Sequence, residues 1–428
     1  MLESIMNKEG RYLLCSKKYG RPLFAGAWLA PLTTKKKKEE EERNGEGDEE
    51  GEVFPKEAQE GVVVLAGGGG NQRNGVPNSL LLAEYDFKST LLTDALDTYS
   101  TGDDTPLRLA AHPAGEGVVC SFEKDCRLFE VLRESSGDLN VRVAEREIQV
   151  LQGVGEQNCL VFSPDGIRLA AGGDDGHLLV IEWGSFKVLF DKPEAHKSIK
   201  DLDFSLDGAF VASTSDDSAC RIWDVASGTC VSSLPSVVGE GMGFVRFSRD
   251  CNKPLLYVTV RKRGNGFVSA FDTSSWKQVA SRKLQEDPIS AFSITRDGRF
   301  LAIGSSEGDI SIVDTSTLSV CQKLKRAHMI FVTSMEFSPS GRAILSVSAD
   351  SSARVTPIEP RRSGSWQGSL LLLLIFILST LLVIVGEDVF KKWHEGRSSE
   401  SFLSGFFARL SSFSDLNTRG HDDARLSP

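Results

Sequence analysis

Residues 195–224 read AHKSIKDLDFSLDGAFVASTSDDSACRIWD, and they contain the unit from which the fold is predicted. A short phrase, FSLDG, is followed by an apolar segment, a Ser/Asp turn and a second segment rich in β-forming residues. Two such segments joined by a short polar turn are typical of a β-hairpin. The unit therefore predicts two adjacent antiparallel strands, the second of which ends at Trp223 and Asp224.

The phrase recurs along the chain with small changes. Clear copies begin at Phe162, Phe204, Phe247, Ile294 and Phe337, so they are 42, 43, 47 and 43 residues apart. A degraded copy begins at residue 111, and residues 62–68 and 79–86 form a seventh unit with a longer turn. A period of about 40–45 residues with Trp-Asp at its end is typical of WD-repeat propeller blades.

These seven units predict an all-β fold, a seven-bladed WD-repeat β-propeller. The ring of such a propeller must close, because an open ring would leave free sheet edges. We expect residues 21–30 to supply the outer strand of the first blade and to close the ring against the last blade.

One apolar segment does not fit the repeat. Residues 370–385 read LLLLLIFILSTLLVIV, and they carry no charge and no polar face. As a helix, residues 368–386 would span roughly 28 Å, which matches a thin bilayer such as that of the endoplasmic reticulum (ER). We expect a single C-terminal transmembrane helix at residues 368–386.

The domain organisation follows from the repeats and the apolar segment. Residues 1–365 are predicted to form the propeller, with a disordered charged insert at 33–56 in which a run of lysines precedes a run of acids. Residues 387–428 are predicted to form a short tail. Its Phe and Leu residues between 402 and 413 have helical spacing, which fits either an amphipathic helix or a disordered segment.

The N-terminal sequence and the cysteines bear on location. MLESIMNKEGRYLLCSKK contains no apolar signal segment, so nothing would carry the propeller across a membrane. Eight cysteines without paired spacing, and no N-x-S/T sequon, agree with a reducing compartment. We expect a single-pass ER membrane protein with a cytosolic N-terminal propeller and a lumenal C-terminal tail.

The net charge argues against a nucleic-acid partner. Lys and Arg number 49 and Asp and Glu number 59, which gives a formal net charge of −10. A negative field does not attract a polyanion. We therefore expect no nucleic acid among the partners.

Two histidines in the repeats, His196 and His328, lie near aspartates and could suggest a catalytic pair. In blades of this kind, however, His, Asp and Trp side chains commonly satisfy one another's buried hydrogen bonds. We assign both histidines to structure. No catalytic residue and no covalent chemistry are expected, so the protein is not predicted to be an enzyme in that sense.

Residues 67–78 read GGGGNQRNGVPN and stand where other blades have a turn of three or four residues. Four consecutive glycines lose much backbone entropy on ordering, so they indicate positive φ angles or a close approach to another surface. A phosphate-binding loop is disfavoured, because no Gly-Lys-Ser/Thr and no helix follow. The loop is either a flexible surface excursion or a binding loop, in which carbonyls and the amide oxygens of Asn74 and Asn78 could coordinate a monovalent cation.

Together, a seven-bladed WD-type propeller, one short membrane span and GGGG followed by NGVPN in the first blade resemble the Sec-twelve family. The resemblance covers roughly residues 19–385, and AHKSIKDLDFSLDG at 195–208 is similar to plant members. Members are ER-membrane guanine nucleotide exchange factors for the Sar-type small GTPase that starts COPII vesicle coat assembly. The resemblance implies this activity here, with the GTPase and the ER membrane as partners and COPII coat components or cargo as further ones.

In that family the first-blade loop holds a potassium ion and inserts against the switch regions of the GTPase. The resemblance therefore implies a potassium cofactor, with Asn74 and Asn78 as its ligands. Residues 71–73 (NQR) depart from the acidic or small residues expected there. The positions that match the family loop, and are predicted to contact the GTPase and the cation, are Gly67, Gly68, Gly69, Gly70, Asn74, Gly75, Val76, Pro77 and Asn78.

A second function remains open at this stage. A plant branch of the same family, the phosphate transporter traffic facilitators, shares the fold and the anchor, typically lacks this loop and is not thought to exchange nucleotide. The alternative is therefore a non-catalytic, ER-anchored WD-repeat facilitator for cargo such as a phosphate transporter. The presence of the loop favours the exchange factor.

Overall fold

The computed structural model describes residues 15–31, 60–70, 75–134, 136–235, 239–358 and 366–394, without the side chains of residues 60, 366–373, 392 and 393. The chain divides into two compact units, Met1–Glu359 and Pro360–Pro428. The charged insert 33–56 and the tail beyond residue 394 lie outside the described residues. The predictions for these two segments stay predictions.

Within the described ranges, the strands form seven antiparallel sheets around a central channel, which confirms the predicted seven-bladed β-propeller. The first strand in the chain, β1 (Ser16–Lys18), belongs to the last sheet. Blade 1 consists of β2 (Leu23–Trp28), β3 (Glu60–Gly67), β4 (Asn78–Asp86), β5 (Leu91–Leu92) and β6 (Asp97–Gly102). Blade 2 consists of β7 (Arg108–Ala111), β8 (Val118–Ser121), β9 (Cys126–Arg133) and β10 (Leu139–Val143), and a 3-10 turn at Gln149–Leu151 follows it.

The remaining blades follow in chain order, and each begins with its innermost strand. Blade 3 consists of β11 (Gln157–Phe162), β12 (Arg168–Gly173), β13 (Leu178–Glu182) and β14 (Val188–Lys192). Blade 4 consists of β15 (Ile199–Phe204), β16 (Phe210–Ser215), β17 (Cys220–Asp224) and β18 (Cys230–Leu234). Blade 5 consists of β19 (Glu240–Phe247), β20 (Leu255–Lys262), β21 (Asn265–Asp272) and β22 (Gln278–Gln285). Blade 6 consists of β23 (Ile289–Ile294), β24 (Phe300–Ser305), β25 (Ile310–Asp314) and β26 (Ser319–Leu324), and blade 7 of β27 (Val332–Phe337), β28 (Ala343–Ser348), β29 (Ser352–Pro357) and β1.

The repeated phrase forms the turn between the first two strands of a blade. In blade 3 the Asp165 carboxylate accepts the backbone N–H of Ile167 (3.0 Å), and Gly166 has a φ of +76°. Asp207 and Gly208 (φ +67°) occupy the same places in blade 4. Glycine adopts positive φ without a Cβ clash, and aspartate caps the turn through its side chain. One turn geometry therefore explains why Asp-Gly recurs in the sequence.

The apolar core lies between neighbouring blades. One cluster joins Ala170 and Val180 of blade 3 to Phe204, Val211 and Trp223 of blade 4, all of them buried. Each sheet buries both faces against its neighbours, so the central strands read as nearly continuous apolar runs. Since every blade depends on the next, the ring is stabilised as a whole only when it is closed.

The two repeat histidines are structural, as predicted. The His196 ring nitrogen Nε2 lies 2.7 Å from Ser213 Oγ, to which Trp223 Nε1 also donates (2.8 Å), and the Arg221 guanidinium donates to His196 Nδ1 (2.7 Å). Burial, and then the charge of Arg221, lower the pKa of His196 to about 4, so the ring is neutral at pH 7. His328 makes corresponding contacts with two serines of blade 7.

The ring closes differently from the prediction. The strand within residues 21–30 is β2, and it is the innermost strand of blade 1, not its outer strand. Closure comes from β1, in which Lys17 pairs with Ala353 of β29 as the fourth strand of blade 7. Among the described residues, β27, β28 and β29 are the C-terminal strands of that blade, and β1 from the N-terminal part of the chain covers the edge of β29 that would otherwise be open.

Side chains also join the last blade to the first. The Trp28 backbone N–H donates to the Glu336 carboxylate (2.9 Å), and Trp28 Nε1 donates to the Glu336 carbonyl (3.1 Å). The Thr333 hydroxyl donates to the Leu23 carbonyl (2.8 Å). Burial raises the pKa of Glu336 to about 7, against the opposing effects of the Trp28 hydrogen bond and the Arg246 charge.

The second unit contains one described helix, α1 (Trp366–His394). It encloses the predicted span at 368–386 and continues further toward the C-terminus. Its described side chains, from Leu374 to Phe390, are exposed apart from that of Val385. Among the residues that the structure describes with their side chains, which leave out 366–373 of α1, no helix combines the length and the hydropathy needed to cross a membrane.

We predict that Glu336→Gln gains stability relative to the wild type as pH rises from 5 to 8. The folded-state pKa lies above the unfolded value, so the wild type keeps its full stability below the unfolded pKa and loses stability as pH rises toward about 7. The neutral amide avoids this loss, so the difference in free energy of unfolding between the variant and the wild type should change by about 1–3 kcal/mol over this pH range. Urea denaturation at pH 5, 6, 7 and 8 measures it. Glu307→Gln, on an exposed turn, controls for the removal of a charge. A difference in free energy of unfolding between Glu336→Gln and the wild type that does not vary with pH would contradict the prediction.

Candidate functional site

The glycine-rich loop extends from a regular hairpin in blade 1. Strands β3 and β4 pair in register up to Gly67 and Ser79, so the loop begins and ends on a rigid support. In an antiparallel blade, the connection between the second and third strands lies at the same end as the connection to the next blade. This end of the propeller, here named the loop end, therefore also contains the connections at residues 19–22 and 103–107.

Asn78 closes the loop at its base. This side chain is only 3% exposed. Its Oδ1 accepts the backbone N–H of Gly70 (3.1 Å), and its Nδ2 donates toward the Gly70 carbonyl (3.3 Å). The same Nδ2 donates to the carbonyls of Gly102, the last residue of β6, and of Asp103, the first residue of the connection into blade 2 (3.3 Å each). One amide thus ties both ends of the loop to the body of the propeller.

Several loop glycines have individual steric reasons. A Cβ on Gly67 would overlap the carbonyl oxygen of Pro22, and a Cβ on Gly68 would overlap the side chain of Asn78. Gly70 and Gly75 have φ values of +74° and +80°, where non-glycine residues are strained. The structure therefore brings these glycines into a braced turn, and the described part of the loop is not a free excursion.

Arg21 supports the loop from the neighbouring connection, and sequence reasoning missed it. Its guanidinium donates to the Ser79 hydroxyl and lies 3.5 Å from the Pro77 carbonyl. Burial lowers the pKa of Arg21. Because Arg21 and Pro77 are far apart in the chain and outside any repeat, no sequence pattern links them.

The other residues predicted to contact the GTPase differ in how far they are exposed to solvent. Gly75 and Pro77 are exposed and Val76 is half-buried, so this short segment is available to a partner. Gly69 and Gly70 are half-buried beside it. Asn74 lies outside the described residues, so its predicted roles in binding the GTPase and the cation remain predictions.

The predicted potassium site can be compared with the oxygens present. Neutral carbonyl and amide oxygens are ligands that K⁺ accepts. The carbonyl oxygens of Gly70, Gly102 and Asp103 all lie near the Asn78 amide, so several oxygens of this kind are present in one place. The N–H groups of the Asn78 side chain already donate to these carbonyls, so the base of the loop is closed without an ion. The ligand chemistry fits a monovalent cation, and the closure does not depend on one.

The central channel is a second concave feature, with a cavity of about 600 Å³ lined by the inner strands. Its charges include two pairs between blades 4 and 5, Arg246 with Asp201 and Arg249 with Asp203 (2.7 Å). Both aspartates also accept backbone N–H groups of β19. Among the described residues, no His, Cys, Asp or Glu cluster could hold a metal ion. We assign these channel ion pairs to the joining of blades.

We predict that Gly68→Ala destabilises the protein much more than Gly70→Ala. The added methyl at Gly68 overlaps Asn78, which should cost about 3 kcal/mol through overpacking. At Gly70 the methyl meets open space, and only the positive φ costs about 1 kcal/mol. Urea denaturation of both variants measures the difference. Equal losses would contradict the assigned packing of Asn78 against Gly68.

Comparison with known proteins agrees with this architecture. Residues 146–182, 188–224 and 319–356 match the WD domain, G-beta repeat. The last two matches begin with β14 and β26, the outer strands of their blades, so the sequence repeat is offset from the sheet by one strand.

Relatives cover most of the chain. SEC12-like protein 1 of Arabidopsis thaliana is 35% identical over 324 residues, which are 74% of this chain and 81% of the relative. SEC12-like protein 2 of the same plant is 36% identical over 294 residues, 68% of this chain and 74% of the relative. The guanine nucleotide-exchange factor SEC12 of Mus musculus is 25% identical over 257 residues, 53% of this chain and 61% of the relative. With one propeller, the WD repeats and this coverage of the two plant relatives, the chain belongs to the SEC12-like family of WD-repeat proteins.

Proposed function

We propose that this protein is a guanine nucleotide exchange factor that activates the Sar-type small GTPase at the ER membrane and so starts COPII coat assembly. The observation that carries the proposal is the first-blade loop, which is braced by Asn78 and Arg21 and presents Gly75, Val76 and Pro77 outward. The mouse relative is named for exchange activity, which supports the same class.

Exchange requires no proton transfer or covalent step by the factor. The factor must bind the nucleotide-free GTPase more tightly than the nucleotide-bound form, and this difference accelerates nucleotide release. A closed propeller supplies a rigid platform, and the braced loop supplies a protruding wedge. Because the Asn78 hydrogen bonds fix the base of the loop before binding, less ordering entropy is lost on docking.

A potassium ion at the loop is part of the proposal. The ion would be held by neutral oxygens, those of Asn74 and Asn78 among them, and would add charge stabilisation to a turn dense in carbonyls. Asn78 by itself ties the loop to Gly70, Gly102 and Asp103, so the wedge mechanism rests on that side chain.

We further propose that α1 anchors the propeller in the ER membrane, with the propeller cytosolic and the tail lumenal. The uncharged run at 370–385 and the exposure of side chains such as Phe376 (67%) and Leu382 (69%) support this proposal. Apolar surface on this scale is favourable only where a lipid or protein partner covers it. The anchor would hold the factor on the membrane where the GTPase acts.

A facilitator without exchange activity is the second candidate. The two plant relatives that match most of the chain are named only as SEC12-like, whereas the mouse relative, which is named for exchange, is less similar. A facilitator would bind a cargo protein, such as a phosphate transporter, and would leave the rate of GDP release unchanged. The braced loop favours the exchange factor.

We expect Asn78→Ala to slow GDP release from the Sar-type GTPase about tenfold, within the usual range of coupling between two binding events. Loss of the amide frees Gly70 and detaches the loop from residues 102 and 103. The rate is measured with a fluorescent GDP analogue and the full-length chain in liposomes.

Asn158→Ala is the matched control, because Asn158 also joins neighbouring blades through its amide, to Asp174 and the Ile199 carbonyl (3.1 Å each). An unchanged rate with Asn78→Ala would refute the loop assignment, and no acceleration by the wild type would favour the facilitator. Replacing K⁺ with tetramethylammonium at equal ionic strength tests the proposed cation. If K⁺ binds at the loop, GDP release should be slower without it.

We predict that deletion of residues 370–385 releases the protein from membranes. Membrane fractions washed with alkaline carbonate retain integral proteins, so the wild type should stay in the pellet and the variant should be found in the supernatant. Deletion of residues 395–428 is the control and should leave the protein in the pellet. Retention of the 370–385 deletion would exclude α1 as the anchor.

A further inference from the structure

Three consecutive apolar side chains are exposed at the loop end of blade 7. Met329, Ile330 and Phe331, here named the apolar triplet, are 77%, 41% and 46% exposed. They lie in the connection from β26 to β27, which enters blade 7 at the same end as the glycine-rich loop of blade 1. A contiguous exposed apolar surface on an otherwise polar turn is typical of a protein contact site.

The turn that carries the triplet is fixed by its backbone. The His328 N–H donates to the Gly308 carbonyl (3.1 Å), the Met329 N–H donates to the Asp350 carboxylate (2.7 Å), and the Phe331 carbonyl accepts the Ser348 hydroxyl (2.8 Å). The apolar side chains are therefore held outward by an ordered main chain. A partner that covers them would lose little entropy in ordering this turn.

Blade 4 shows that the fold does not need apolar residues at this turn. The corresponding connection has Lys197 and Ser198 after His196, where blade 7 has Met329 and Ile330 after His328. The backbone contact is the same, since the His196 N–H donates to the Gly176 carbonyl (3.1 Å). The blade 4 turn, which is one residue shorter and has no counterpart of Phe331, thus keeps this backbone contact with polar residues in the places of Met329 and Ile330.

The triplet and the glycine-rich loop lie close to the same seam. Phe331 stands two residues before Thr333, whose hydroxyl donates to the Leu23 carbonyl (2.8 Å). Leu23 is in turn paired with Gly67, the residue at which the loop begins. Blades 7 and 1 therefore present the two features side by side, within reach of one small protein partner.

The rim of the triplet is basic. Lys18 Nζ lies 4.0 Å from the Met329 sulfur, and Lys325 and Arg326 are exposed in the same turn. Of the acids nearby, Asp309 is engaged by Lys323 (3.3 Å) and by the Arg326 N–H (2.8 Å), Asp350 accepts the Met329 N–H (2.7 Å), and Glu307 is exposed on the adjoining turn of blade 6. An apolar centre with a basic rim is complementary to a partner surface on which an apolar spot is bordered by Asp or Glu.

We propose that the apolar triplet is a second docking site for the same small GTPase that the glycine-rich loop engages. This inference rests on the proposed function, and it assigns the two sites different roles. The triplet and its basic rim capture an apolar, acid-bordered patch of the GTPase, and the loop then acts at the nucleotide site. A protein is favoured over a lipid surface because the triplet lies at the same seam as the glycine-rich loop, which it reaches through the contact of Thr333 with Leu23 and the pairing of Leu23 with Gly67.

The test is a titration of the full-length chain in neutral liposomes against the Sar-type GTPase loaded with a fluorescent GDP analogue. The double variant Met329→Ser, Ile330→Ser should raise the chain concentration for half-maximal release roughly tenfold and leave the maximal rate unchanged. Asn78→Ala should instead lower the maximal rate. Ile167→Ser removes an apolar side chain that is 52% exposed at the other end of the blades, and it should change neither quantity.

A charge variant tests the same surface independently of the apolar side chains. Lys325→Glu should raise the half-maximal concentration at low salt and have a smaller effect at high salt, because exposed charges are screened. If the double variant unfolds early in a thermal melt, the Lys325→Glu result decides.

The outcomes separate the two proposals. Exchange by the wild type with unchanged half-maximal concentrations for the double variant and Lys325→Glu would overturn the triplet assignment and leave the exchange function intact. No exchange by the wild type would overturn both. The titration is repeated in acidic liposomes, and a defect of the double variant that occurs only there would assign the triplet to lipid and overturn the proposal.

Discussion

Closure of the ring is the constraint on which the rest of this structure depends. Seven sheets share their apolar faces in pairs, so a gap between the last and first blades would expose two faces and a sheet edge at once. The gap is closed by β1 on β29, and by Trp28 and Thr333 at the inner strands. These contacts join parts of the chain that are some three hundred residues apart in sequence, so closure entropy opposes them until the intervening blades have folded.

The functional site uses this rigidity. The glycine-rich loop protrudes from blade 1, next to the seam, and its base is tied to the connection into blade 2 by Asn78 and to the connection from blade 7 by Arg21. A loop of this length would lose much entropy if it ordered alone, but here two neighbouring segments hold its base in place. The apolar triplet is displayed by the same principle, since the main chain is fixed and the side chains are left free to bind.

Many of the polar side chains that look chemical in the sequence are engaged in joining blades or in completing them. His196, Ser213 and Trp223 complete one another's hydrogen bonds inside blade 4, and Asp201 and Asp203 bind the backbone and arginines of blade 5. Burial of such groups is tolerated because each finds a partner. The sequence allowed this reading for the histidines, because their spacing repeats with the blade. It gave no sign of the partners of Arg21, which come from outside the repeat.

The sequence by itself determined the repeat, the blade number, the turns of the FSLDG phrase and the position of the unusual loop, because each of these depends on residues close together in the chain. Only the tertiary structure decided which strand closes the ring. The WD repeat runs from the outer strand of one blade through three strands of the next, so its last copy ends at β29. The outer position of blade 7 is then left for a strand from elsewhere in the chain, and the repeat pattern does not say which segment supplies it. The prediction assigned residues 21–30 to ring closure. Instead, the strand in that segment, β2, is the innermost strand of blade 1, and β1 is the fourth strand of blade 7 that closes the ring. Likewise, the pattern marked Asn78 as a cation ligand, while the fold gave its amide hydrogen-bond partners in Gly70, Gly102 and Asp103, because contacts between distant residues depend on how the blades pack.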